Sequence, residues 1–170
     1  VTHLKLVKAL IRAGAWLDEQ DNKNRSEAAQ MISAAHYVGA DAAIIKRSMT
    51  GQFEFAPGDI RKAPDFNVFF RHHATYPFYS DAIWYLTQMR RWGQLSEAKA
   101  DSWYQATAKD AFDTVLYQQA AKALITEGKF SSTDFPDFTK ETGIKAPERY
   151  KFADNKAFDA NKPNQYLLQF

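Results

Sequence analysis

Apolar positions near the start of the chain recur at helical spacing. Leu6, Leu10, Ala13 and Leu17 form one line, and Val7, Ile11 and Trp16 widen it. So broad an apolar surface predicts a first helix buried on more than one side. The polar run "DEQDNKN" interrupts it, and Asn24 followed by Glu27 has the spacing of a capping box for a second helix. That helix would carry Ala28, Met31, Ile32 and Ala35 on one face. "DAAIIKRSM", about residues 41–49, predicts a short third helix, with Gly51 suited to a left-handed residue past its end.

From Gln52 to Asn67 the helical period is lost. "QFEFAPGDIRKAPDF" holds prolines and a glycine and reads as an extended connector. Ser80 has the position of an N-cap for "DAIWYLTQMRRW", Asp81 suits the first turn, and Gly93 follows the end. Ile83, Leu86 and Met89 are the expected core residues of this helix, and Trp84 and Trp92 are expected to pack rather than to bind. Ser96 is placed to cap another helix. A further helix, about 114–127, puts Tyr117, Ala120, Ala121 and Leu124 on one face and stops at Gly128. The last part is loop-rich, with Phe130, Phe135, Phe138, Tyr150, Phe152, Phe158, Tyr166 and Phe170 spaced through it. These aromatics are expected to pack back on the body, because leaving them in water would expose a large apolar area.

The pattern therefore predicts a mainly α chain with a few short strands. Its 170 residues make one unit with three stretches: a helical segment 1–50, an extended connector 51–78, and a helical extension with a wrapping tail, 79–170. Hydrophobic content of 45% and charge of 25% are those of a globular protein. A net charge of +2 excludes a generally polycationic surface but not a local basic patch. The absence of cysteine excludes disulfides and thiolate chemistry. The chain opens on helical sequence without a methionine, which suggests a processed chain or fragment.

Candidate chemistry is sparse. His72 and His73 are adjacent, whereas helical metal pairs are three or four residues apart, so a structural role is favoured over a metal site. Arg90 and Arg91 lie near Trp84, Tyr85 and Trp92, as on a stacking surface for nucleic acid; a helix's last turn also favours cations, and this is the preferred reading. No nucleophile elbow and no phosphate-cradling glycine motif occurs. No catalytic residue, metal or cofactor is expected, and the chain reads as non-enzymatic.

Several motifs carry a resemblance. "ATYPFYSDAIWYLTQMRRWGQL" resembles a segment of the solute-binding proteins of nitrate and bicarbonate ABC transporters. "LVKALIRAGAWLDEQDNKNRSEAAQMIS", "RSMTGQFEF", "YQQAAKALITEGK" and "KAFDANKPNQYLLQF" are similar to further segments of that family in the same order. The resemblance implies the C-terminal part of a two-lobed α/β periplasmic-binding-protein fold of type II. In that family the intact protein closes on a small oxyanion (nitrate, nitrite or bicarbonate) and delivers it to a membrane permease. Its expected partners are thus the anion, the permease and an N-terminal segment of the same protein, with no nucleic acid. The expected location is periplasmic, or membrane-anchored and extracytoplasmic. The family's ligand contacts fall in segments not matched here, which leaves His72, His73 and Tyr76 as the residues to test near a cleft. Two other readings stand beside this one: a soluble nitrate sensor holding a regulatory RNA-binding partner, which would be cytoplasmic, and a helical interaction module without ligand.

Overall fold

The computed structural model describes residues 2–146 and 155–170. Their elements run α1 (Thr2–Asn22), α2 (Arg25–Ile32), α3 (Ala42–Thr50), β1 (Gln52–Ala56), β2 (Asp59–Lys62), α4 (Tyr79–Arg91), α5 (Asp101–Ala111), α6 (Thr114–Thr126) and α7 (Pro163–Leu167). The chain divides into two compact units, Val1–Thr75 and Tyr76–Phe170. As expected, it is mainly helical with a few short strands.

In the first unit only one stripe of α1 is buried, Ile11, Gly14 and Asp18. Leu6 and Leu10 are 56% and 60% exposed, so the expectation of a helix buried on several sides fails within this unit. Gly14 is required by close approach: a Cβ there would lie 2.9 Å from the carbonyl oxygen of Phe69. The end of α1 is kinked, with Gln20, Asp21 and Asn22 all at positive φ. Asn24 precedes α2 but makes no capping bond. Its amide instead donates to the Trp16 carbonyl at 2.7 Å and to the Glu19 carboxylate at 3.1 Å, binding α2 back to the kink. The buried face of α2 is Ala28 and Ala29, packed with Met49, Trp16, Leu17, Ile45 and Phe69; Met31 and Ala35 are exposed, against expectation.

The start of α3 follows local rules. Asp41 accepts the Ala43 amide at 2.6 Å, and Gly51 takes the left-handed conformation at φ 66°. The extended connector contains an antiparallel hairpin pairing Gln52 with Lys62, Phe53 with Arg61 and Glu54 with Ile60. Its turn is closed by the Glu54 carboxylate, which accepts the Gly58 amide at 3.2 Å.

In the second unit α4, α5 and α7 pack around Ala82, Ile83, Tyr104, Ala108, Phe158, Ala160 and Tyr166. The helix α6 buries Tyr117, Ala120, Ala121 and Leu124, the predicted face. Phe135, Phe158 and Tyr166 of the tail are buried, so these aromatics do pack on the body; Phe170 is half exposed, and Tyr150 and Phe152 lie outside the described residues. Trp84 packs edge-on against Phe158 and Tyr166, with ring centroids 4.9 and 5.3 Å away. Trp92 is 74% exposed and is not a packing residue within this unit, because it stands at the C-cap where the helical face ends. Two capping assignments also change. The buried Ser80 hydroxyl accepts the Lys145 amide at 3.2 Å instead of capping α4, which begins one residue earlier. Ser96 caps nothing, since α5 starts only at Asp101.

Candidate functional site

The strongest polar constellation of the first unit grows from the buried stripe of α1. Asp18 follows Ile11 and Gly14 on that stripe, so its carboxylate enters the interior. Such a charge needs full compensation. One oxygen, Oδ1, accepts from Arg25 Nη2 at 2.6 Å. The other, Oδ2, accepts from the successive backbone amides of Phe69, Phe70 and Arg71 at 3.0, 2.7 and 2.9 Å. Successive amides converging on one oxygen form an anion-binding nest, here filled by the protein's own carboxylate.

Arg25 is fully buried and equally well satisfied. Its Nε donates to the Leu17 carbonyl at 3.2 Å, and Nη1 donates to the carbonyls of Met49 at 3.0 Å and Pro64 at 3.4 Å. Its guanidinium lies 5.1 Å from the Phe69 ring centroid. One side chain thus ties α1, the end of α3, the segment after the hairpin and the 69–71 turn together. Burial alone would raise the Asp18 pKa, but the amides of Arg71, Phe70 and Phe69 and the Arg25 guanidinium outweigh it and hold it below the ordinary 3.8.

The turn held by Asp18 leads straight into His72 and His73, both at positive φ (56° and 59°). Non-glycine residues adopt this region reluctantly, so two in succession are held there by their surroundings. His72 is exposed and His73 half-buried. Among the described residues no group of three or more His, Asp or Glu is placed to hold a metal. Tyr76 belongs to the second unit, where it is buried among aromatics. Its ring meets those of Phe78, Tyr117 and Phe138 at 4.7, 5.2 and 6.1 Å. Burial raises its phenol above the ordinary 10.0, and hydrogen bonds with the side chains of Gln118 and Thr114 only partly oppose this. Tyr76 therefore stays neutral and packed.

Asp18 and Arg25 were missed by sequence reasoning, which read the acidic run simply as a helix stop. A signal existed: Asp18 is spaced from Ile11 and Gly14 as the next buried position, and Arg25 aligns with Ala28 and Ala29.

No family model matches the chain. It is 29% identical over 165 residues to the nitrate/nitrite binding protein NrtA of Nostoc sp. strain PCC 7120, covering 95% of this chain and 34% of that protein. It is 28% identical over 130 residues to the bicarbonate-binding protein CmpA of Synechococcus elongatus, covering 71% and 28%. The nitrate import ATP-binding protein NrtC of Synechocystis sp. strain PCC 6803 is 32% identical over 99 residues, 58% of this chain and 14% of that one. The crystal structure of the periplasmic nitrate-binding protein NrtA from Synechocystis PCC 6803 superposes with a TM-score of 0.80 at 25% identity, over 96% of this chain and 39% of that one. The chain thus spans about a third of the length of the nitrate-binding proteins it matches, and its fold is part of a binding-protein fold.

Proposed function

We propose, from the premise that this chain belongs to the nitrate- and bicarbonate-binding protein family, that it forms part of the solute-binding component of an ABC importer for nitrate or a similar small oxyanion. The observation that carries this reading is the superposition on a nitrate-binding protein over nearly the whole chain. The role is one of binding and delivery to a permease, without catalysis, and its place is extracytoplasmic. No described helix is long and apolar enough to cross a membrane. The relatives named above lend no support to the sensor or the interaction-module reading.

Within such a component this chain supplies framework for the lobes rather than the anion's ligands. A small anion must be desolvated by several convergent donors. The best such set in the first unit, the 69–71 amides with Arg25, is already taken by Asp18. His72, His73 and Tyr76 remain the residues to probe for indirect effects on the cleft.

Calorimetric titration tests both halves. A form extended to the full length of the relatives is expected to bind nitrate, nitrite or bicarbonate at micromolar concentration, on the order of −8 kcal/mol. The 170-residue chain is expected to bind the same anions at least about a hundredfold more weakly. No binding by the extended form overturns the transport role. Micromolar binding by the chain alone overturns its assignment as framework.

A further inference from the structure

We propose that a cleft of about 230 Å³ in the second unit is a binding site for a small organic carboxylate. This goes beyond the transport reading and does not rest on it, because the cleft is formed wholly within the second unit.

Its lining divides by chemistry. The half-buried Ile144 and the half-buried ring of Tyr79 supply the accessible apolar surface, with the fully buried Ile83 of α4 behind them. Gln105 and Lys109 of α5, with Thr142 and Asn161, supply an ammonium, two amides and a hydroxyl, and among the described residues no carboxylate lines the cleft. Gln105 and Lys109 stand one helical turn apart. Neither side chain has a hydrogen-bond or ion-pair partner among the described residues. The Thr142 hydroxyl accepts the Ile144 amide at 3.3 Å, which leaves its proton to donate. The Asn161 amide nitrogen makes one bond, to Asp159 at 3.2 Å, and keeps a second N–H. Four donor side chains along a cleft that no described carboxylate lines favour an anion, and the apolar surface favours one with a hydrocarbon body.

The walls are fixed before any ligand arrives. The Tyr79 hydroxyl is bonded to the Thr114 hydroxyl at 2.8 Å. Its ring lies against Gly143, where an added Cβ would collide with it and where φ is +77°. The Gly143 carbonyl accepts the Ser80 amide at 3.2 Å, and Lys145 pairs with Asp81 at 2.8 Å, so the 143–145 loop is latched to the start of α4. On the other side the Asn164 amide donates to Asp101 at 2.7 Å, holding the segment after Asn161 against the start of α5. Rigid walls reduce the ordering cost of binding.

The test is a two-dimensional amide NMR titration of the 170-residue chain with sodium propionate, at ionic strength fixed by sodium chloride. Saturable shifts are expected at Tyr79, Gln105, Lys109, Thr142, Gly143, Ile144 and Asn161, with a Kd on the order of 1–10 mM. Lys109 is exposed, so Lys109→Ala is expected to leave the rest of the spectrum unchanged and to weaken binding about tenfold. Lys109→Arg is expected to retain it, and Gln105→Leu to weaken it by a smaller factor. Sodium nitrate, which lacks a hydrocarbon body, is expected to bind at least about fivefold more weakly. Absence of saturable shifts below about 50 mM overturns the proposal. So does binding indifferent to Lys109→Ala, or nitrate binding at the same residues as tightly as propionate.

Discussion

The two units solve the problem of a small interior in opposite ways. The first places a carboxylate and a guanidinium at its centre and satisfies both, with the Asp18 carboxylate on Arg25 and three backbone amides. The second fills its interior with rings: Trp84, Phe158 and Tyr166 meet edge to face in one cluster, and Tyr76, Phe78, Tyr117 and Phe135 in another. Apolar packing is non-directional and degrades gradually when atoms are removed. A buried charge pair sets geometry exactly where its hydrogen bonds point, and fails abruptly when one partner is lost. The first unit uses that property to hold backbone that resists its own conformation, at Gln20, Asp21 and Asn22 on one side of Asp18 and His72 and His73 beyond the nest.

The sharpest break in this comparison is Asp18→Ala. It leaves the Arg25 charge buried without its counter-ion and three amides unpaired, and is expected to cost about 3–5 kcal/mol by thermal or urea unfolding. A loss below about 1 kcal/mol would show that the centre is solvated in the folded chain. The same residue gives the first unit an acid sensitivity. The Asp18 pKa is lower folded than unfolded, so its contribution is complete above about pH 4 and is lost as pH falls through the folded value. Urea unfolding from pH 7 to 2 should show an acid slope that Asp18→Ala flattens.

What could be read from sequence and what could not follow the same division. The Gly51 terminus of α3 and the buried face of α6 depend on neighbours within a turn or two, and the residue pattern exposes them; the Asp41 cap, in a stretch read as helix from residue 41, does not stand out in the same way. The hairpin hid inside a connector because Pro57 and Gly58 read as breakers without revealing that the flanking residues pair. Asp18 was hidden for a different reason. Its partners lie seven residues away at the Arg25 guanidinium and more than fifty away at Phe69 to Arg71, where they are backbone amides that carry no side-chain signature. Tyr76, chosen as a polar residue to test, turned out to be spent on aromatic packing.

Phe158→Ala addresses the other side of the comparison. The ring is buried between Trp84 and Tyr166, and its loss is expected to cost about 3 kcal/mol through transfer and cavity terms. Because no charge is uncovered, the acid slope should be unchanged from the parent chain. A steeper slope would mean that loss of the ring shifts the titration of a carboxylate, and the aromatic cluster would then not be free of electrostatic coupling. Trp92→Ala is the control on the same unit. At 74% exposure its removal is expected to shift stability by no more than about 0.5 kcal/mol, against a loss of about 2 kcal/mol or more for Trp84→Ala.

The smallest effect tests whether the second unit is as purely apolar as its rings suggest. Tyr104 is fully buried in the α4–α5–α7 core, and its hydroxyl has no hydrogen-bond partner among the described residues. A hydroxyl in that position incurs desolvation without compensation, whereas the ring packs against Trp103 at 5.2 Å and retains its value without the oxygen. Burial accordingly raises its pKa above the ordinary 10.0, the charge of Arg90 only partly opposing this, so the group is neutral throughout the working range. Tyr104→Phe is expected to change stability by between zero and about +1 kcal/mol, on the stabilising side, with no change in the acid slope. A loss of about 1 kcal/mol or more on removing one oxygen would reveal a hydrogen bond at that hydroxyl. The aromatic core would then contain a directional polar contact of the kind that organises the first unit.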